Sequence, residues 1–270
     1  APEQVRAMLG MVGGMRVLGQ YEEGIKVLEQ AETKAMNGHL TKELAKIYHL
    51  RGNLCFPLGK IQDVLKYHTL ALEYAKKASS IELEANSLGG LGDAYYVSGR
   101  METANKHFHD CVELARQHGF SRTEAANLSM VGWSYFFLNE FEPALKAGAE
   151  AVEVAKKINH YRAEIVAHHI IAEVNYNLGN FELTKEEYQK ASKLEEVIKT
   201  NIFEAQRFHK LGLIAYNEGD HALATSLLEQ AETSCRNHGT EFAGPAVLGG
   251  IAEITTDPLK RKNALAEGEQ

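Results

Sequence analysis

The stretch Gly92-Asp93-Ala94-Tyr95-Tyr96-Val97-Ser98-Gly99-Arg100-Met101 decides the fold. It puts a tiny residue seven positions before a turn glycine and a large apolar residue two positions after it. The arrangement returns every 40 residues without insertion, with the turn mark at Gly19, Gly59, Gly99, Asn139, Gly179 and Gly219. Seven residues before the mark stand Val12, Gly52, Gly92, Gly132, Ala172 and Gly212; two after it stand Tyr21, Ile61, Met101, Phe141, Phe181 and His221. Twelve after it come Ala31, Ala71, Cys111, Ala151, Ala191 and Ala231. A fixed period of this length marks stacked supersecondary units that bury their apolar faces against one another. A glycine inside a helix costs about 1 kcal/mol relative to alanine. Its recurrence therefore predicts a neighbouring helix too close for a side chain.

The spacing predicts six helix pairs, at 3–18/21–37, 41–58/61–78, 81–98/101–118, 121–138/141–158, 161–178/181–198 and 201–218/221–238. Ser79, Ser121 and Asn201 each stand three residues before a glutamate (Glu82, Glu124, Glu204), the reciprocal capping arrangement for a helix start. Pro143 falls in a first turn, where its missing N–H is harmless, whereas Pro57 lies late in a helix and should loosen its end. After residue 239 the pattern changes. Phe242–Ile254 reads as one more helix and Asp257-Pro258 as the start of a short basic one. The expected organisation is six repeats over 1–239 and C-terminal capping helices over 240–270, covering the exposed side of the last repeat as a solenoid end requires.

Composition narrows the function. Across 270 residues, 29 Lys and Arg face 36 Asp and Glu, a net charge of −7, with no basic block. A nucleic-acid backbone asks for the opposite sign. No apolar run approaches the roughly 18–20 residues that span a bilayer. Cys55, Cys111 and Cys235 are far apart and form no CxxC pair, so no disulfide framework is expected and a reducing cytoplasm fits. The opening Ala1-Pro2 and the polar helical ending are what a piece of a longer protein would show.

The offsets of small residue, turn glycine, aromatic and alanine resemble the tetratricopeptide repeat over residues 3–239. The resemblance implies an all-α fold, a right-handed TPR superhelix (α-solenoid) of six helix-turn-helix repeats plus capping helices. The period of 40 residues, against about 34 in the usual repeat, makes each helix nearly a turn longer. It is similar to the repeats of kinesin light chains, polarity adaptors and bacterial signalling regulators. The resemblance also implies that the first helix of each pair lines a concave groove. On it would lie an aromatic ladder of Phe56, Tyr96, Phe136, Tyr176 and Tyr216, the polar residues Asn53, Asp93 and Glu173, the histidines His49, His169 and His209, and the sole tryptophan, Trp133. Trp133 is the leading contact residue. Packing between repeats is the alternative role for it and for the ladder. Asp93 and Glu173 in the middle, with Arg6, Arg16 and Lys46 toward the amino end, would polarise the groove. Chaperone-binding repeats grip a carboxyl terminus with a lysine where this chain has His49; Lys46 and Asn53 are only a fragment of that clamp.

Reactive chemistry is not legible. His107 and His109, or His168 and His169, do not present an i, i+4 pair to one metal. Gly89-Gly90-Leu91-Gly92 lies mid-helix and lacks the Lys and Ser/Thr of a phosphate loop. No catalytic, metal or cofactor site is expected. The tail from Phe242 to Ala252 with Thr256-Asp257-Pro258, and Gly132-Trp133-Ser134-Tyr135-Phe136-Phe137-Leu138, resemble the C-terminal array of bacterial class III adenylate/guanylate cyclase–AAA NTPase signalling proteins. The function this implies is a non-catalytic scaffold that binds a peptide, a helix or the parent's own catalytic domains in the groove, with no nucleic-acid or membrane partner. A small-ligand sensor, as in maltose-regulator-like activators, is the alternative, and self-association through a terminal helix stays open.

Overall fold

The structure is a computed structural model that describes residues 2–201, 203–238 and 244–268. Among the described residues there are fourteen helices and no strand. They are α1 (Pro2–Val17), α2 (Tyr21–Asn37), α3 (Thr41–Cys55), α4 (Ile61–Lys77), α5 (Ile81–Val97), α6 (Met101–Gln117), α7 (Ser121–Phe137), α8 (Phe141–Lys157), α9 (Tyr161–Asn177), α10 (Phe181–Ile198), α11 (Glu204–Asn217), α12 (His221–His238), α13 (Gly244–Ile254) and α14 (Pro258–Gly268). The chain packs as two compact units, residues 1–170 and 171–270, the boundary falling within α9.

The rhythm of the backbone is 20 residues, half the sequence period. At eleven positions from 19 to 219, spaced by 20, the chain turns left-handed with φ between +49° and +86°. At each, the following N–H donates to the carbonyl five residues back, from Gln20 to Met15 through to Asp220 to Ala215. This is the Schellman closure, which satisfies the last carbonyls of one helix and aims the chain into the next. The glycine marks exposed the turns inside each hairpin. The turns between hairpins fall at His39, Ser79, Gly119, Asn159 and Lys199, only two of which are of the Gly or Asn type of the hairpin marks, and they escaped the pattern.

Most helix ends agree with the spacing to within a residue. Helix α3 stops early, at Cys55, two residues before Pro57, as expected of that proline. The capping expectation is corrected. Helices α5 and α7 are capped at Ser80 and Phe120 without a side-chain hydrogen bond, Ser79 being the left-handed turn residue and Ser121 already helical. With the entry fixed by the preceding turn, the serine oxygens have no cap to fill. Helix α11 likewise starts at Glu204, whose N–H donates to the Asn201 carbonyl in a backbone turn. The Asp257 cap forms: its Oδ1 accepts the N–H groups of Leu259 (2.8 Å) and Lys260 (3.3 Å).

In the first unit, glycines admit neighbouring rings. The His68 ring of α4 lies between Gly52 of α3 and Gly90 of α5, so close that a Cβ would sit 2.6 Å and 2.3 Å from it. A Cβ on Gly92 would sit 2.4 Å from the Phe108 ring. The joints are dry: Ala45, Ala75 and Leu83 close one, and Ala125, Ala155 and Ala163 another. In the second unit Gly212 faces Leu228, and α13 and α14 bury Val247, Ile251, Ala252 and Ala264 against Leu228 and Ala231 of α12.

Candidate docking site

Helices α3, α5 and α7, each the first of its pair, lie side by side in the first unit. Their shared face holds an open cavity of about 250 Å³, lined by His49 and Asn53 of α3, Asn86, Gly89, Gly90 and Asp93 of α5, and Arg122, Thr123, Ala126 and Asn127 of α7. Hydrogen bonds within the rim hold it in shape. His49 Nε2 lies 3.1 Å from Asn53 Nδ2, Thr123 Oγ1 donates to Asn86 Oδ1 at 3.0 Å, and Asn127 Nδ2 donates to the Thr123 carbonyl at 2.8 Å. Gly89 admits the Asn127 side chain to the rim: a Cβ there would stand 2.6 Å from Asn127 Oδ1.

The electrostatics of this site follow from burial. Desolvation pushes the Asp93 carboxyl up to about 7. Burial, with a smaller push from Arg16, lowers His49 to about 4; burial, with His49 beside it, lowers His68 to about 3. The two rings meet edge-on at 5.3 Å and are neutral near pH 7. Burial and then Asp93 raise Tyr96 to about 12. The Asp93 carboxyl thus has neutral imidazoles beside it, makes no hydrogen bond or ion pair among the described residues, and shares the site with one cation, the exposed Arg122 on the rim.

The aromatic residues divide. At the carboxyl end of α7, Trp133 stacks near Phe137 (6.0 Å) and crosses Phe136 edge-on (5.5 Å), while Tyr96 meets Phe137 at 5.7 Å. Phe137, 53% exposed, joins these rings, although the period did not single it out. Three rungs of the ladder reach across their own hairpin turns, Phe136 to Phe141 (6.1 Å), Tyr176 to Phe181 (5.9 Å) and Tyr216 to His221 (4.9 Å). Phe56 caps α3 and is exposed.

The remaining expected residues are buried and partnered or covered. His169 is buried in the first unit. In the second unit Glu173 accepts the Tyr188 hydroxyl at 2.6 Å and pairs with Lys210 Nζ at 3.5 Å, which in turn lies 4.4 Å from the Tyr176 ring centre. His209 is buried and held at about 4, chiefly by desolvation, and α13 lies over it: a Cβ on Gly250 would be 2.9 Å from its Nε2. Thr123 and Asn127 were missed because neither stands at an expected groove position. The readable signal for Asn127 was the glycine at 89, which it faces.

Three histidines outside the expected groove positions have partners of their own. His107 stacks on Tyr95 at 5.2 Å, His109 Nε2 meets the Tyr135 hydroxyl at 2.9 Å, and His168 lies 3.9 Å from Glu164. Among the described residues no helix is long and apolar enough to cross a membrane.

Comparison with known proteins agrees with this architecture. Residues 83–157 match the tetratricopeptide repeat family. Among curated proteins none matches the chain by sequence. Among solved structures, the apo form of RapI superposes with a TM-score of 0.79 over 98% of this chain and 97% of its own, at 13% identity. The Rap conjugation gene regulator of plasmid pLS20, solved with the Phr* peptide, gives 0.75 over 97% and 72% at 16% identity. A signal transduction ATPase with a tetratricopeptide repeat sensor from Pyrococcus horikoshii gives 0.72 over 100% of this chain and 42% of its own, at 16% identity. At these identities the likeness is one of fold.

Proposed function

We propose that this tetratricopeptide-repeat chain is a non-catalytic docking module that binds a peptide, or an extended segment of a partner domain, along the face shared by α3, α5 and α7. The observation that carries this reading is the open cavity on that face, with polar side chains around it. Elsewhere in the first unit helices meet through alanine, leucine and filled glycine slots, or through polar groups paired with one another, as Tyr48 with Glu32 and Asn105 with Ser134. Here, among the described residues, the Asp93 carboxyl is left without a partner beside the rim amides and the half-buried His49 imidazole. The pLS20 regulator, of the same fold, was solved with a peptide, which supports the choice of ligand class.

The small-ligand sensor is the second reading, favoured by the sensor repeats of the archaeal ATPase. A cavity of about 250 Å³ falls below the roughly 300–1,000 Å³ of small-molecule sites and suits one side chain of a larger ligand. We place the module in the cytoplasm within a larger bacterial signalling protein, joined to a cyclase or NTPase, on the strength of the tail and the α7 sequence.

Trp133 supplies the test. A random peptide library selected on the chain should yield binders that shift Trp133 emission and lose affinity at least tenfold in Asn53→Ala or Thr123→Ala. Binders indifferent to both substitutions would move docking away from this face.

A further inference from the structure

Asp93 and Glu173 are 80 residues apart and so hold the same place in the repeat. Their surroundings differ in one respect. Glu173 is neutralised from within, by Tyr188 and Lys210. The residues 80 earlier in register are Phe108 and Met130, neither of which can donate a proton or carry a charge. Asp93 accordingly meets no donor and no cation among the described residues, yet it borders an open cavity.

Of the other described groups around it, only Arg122 carries a charge, and none is paired with Asp93. His49 and His68 are neutral, for the reason of burial given above. Tyr96 and Cys111 are both raised to about 12, mainly by burial, and keep their protons. Arg122, on the cavity rim, is exposed and makes no ion pair with Asp93. A partly buried carboxyl with no counter-charge is less favourable when ionised than one in open water, and the structure retains one at the edge of the open cavity.

We propose that the cavity beside Asp93 is the seat of one cationic side chain, lysine or arginine, carried by the docked peptide. The inference rests on the docking reading and adds the ligand's chemistry. The ammonium or guanidinium pairs with the Asp93 carboxylate, and its remaining N–H groups find the side-chain oxygens of Asn53 and Asn127 at the rim. A cavity of about 250 Å³ has room for a whole lysine or arginine side chain. Because Asp93 holds its proton to about 7 in the free protein, pairing expels that proton, and binding near pH 7 is linked to its release.

The experiment is selection of a random heptapeptide library on the full chain, followed by calorimetry. Selected peptides should share an arginine or lysine at one register. Replacing it by citrulline or norleucine should weaken binding at least tenfold, and Asp93→Asn should erase that difference. Calorimetry at pH 7 in buffers of different ionisation enthalpy should show proton release with the parent chain and none with Asp93→Asn. Asp93→Asn keeps the shape and removes an unpaired acid, so it should fold, as a thermal melt will show. As a second variant, Met130→Lys places an internal cation in the register of Lys210 and should weaken the cationic peptide at least tenfold. Peptides that lose affinity in Asn53→Ala but ignore Asp93→Asn and the citrulline exchange would overturn the cation seat and leave the docking reading standing. A library that yields no binder sensitive to the α3, α5 and α7 face would overturn both.

Discussion

The joint between α4 and α5 and the joint between α10 and α11 hold the same place in the 40-residue rhythm and are closed in opposite ways. In the first, Ala75 packs against Ala45 and Leu83, all buried and apolar. In the second, the residue in the register of Ala75 is Glu195, buried and paired with the buried Arg207. Ala35, Ala115 and Ala155 repeat the first solution, and all are fully buried. The charged pair needs room that an alanine does not. Beside it α10 and α11 enclose a cleft of about 1010 Å³, with Phe208 and Leu211 in its wall, and α11 begins three residues later than the rhythm asks. Turn geometry therefore sets where helices lie, while the residue at the joint sets whether they close. The same contrast holds for the two groove acids: the second unit satisfies its own carboxylate, and the first leaves one open.

The sharpest way to break the comparison is to exchange the solutions. Ala75→Glu puts an unpaired carboxyl into a dry joint and should cost about 3–5 kcal/mol by urea unfolding; a cost under about 1 kcal/mol would mean that the joint is not tightly closed. Glu195→Ala restores the common residue but strands Arg207, and should cost about 3 kcal/mol, most of it recovered in the double variant with Arg207→Ala. If single and double variants were equally destabilised, the pair would not be what holds that joint.

Asp93→Asn sharpens the contrast between the acids through pH. The unfolded carboxyl has an ordinary value near 3.8 and the folded one about 7, so the folded state binds more protons between them and loses stability as pH rises through that window. The substitution should raise stability by up to about 4 kcal/mol at pH 8, less to the extent that water screens the carboxyl, and leave it nearly unchanged below pH 4. Equal thermal shifts at both pH values would show that Asp93 is not desolvated. The smallest effect is expected at the turn before the charged joint. Lys199 holds a left-handed φ of 53°, and Lys199→Gly should relieve it by about 0.5–1 kcal/mol. A loss of stability instead would mean that the lysine side chain itself supports the turn.

The sequence reveals the fold wherever one residue type repeats. Gly59, Gly99 and Gly179 disclosed the hairpin turns because a left-handed turn favours glycine, and Gly52 and Gly92 disclosed close helix crossings because nothing larger fits. The turns at His39, Ser79 and Lys199 stayed hidden, since a turn enforced by its neighbours tolerates any residue. The groove was legible in part. Asn53 and Asp93 could be placed by register, but whether an acid is paired depends on residues 15 and 37 positions away, as with Tyr188 and Lys210 around Glu173. Single-position periodicity does not report such pairs. Nor does it report Phe137, whose exposure is decided by the rings around it.

The most direct test of the docking face is photo-crosslinking with a library-selected peptide that carries a photoreactive residue beside its arginine or lysine. Attachment to α3, α5 and α7 around Asn53, Asp93 and Thr123 is the predicted result. Attachment confined to the second helices α4, α6 and α8 would contradict the account.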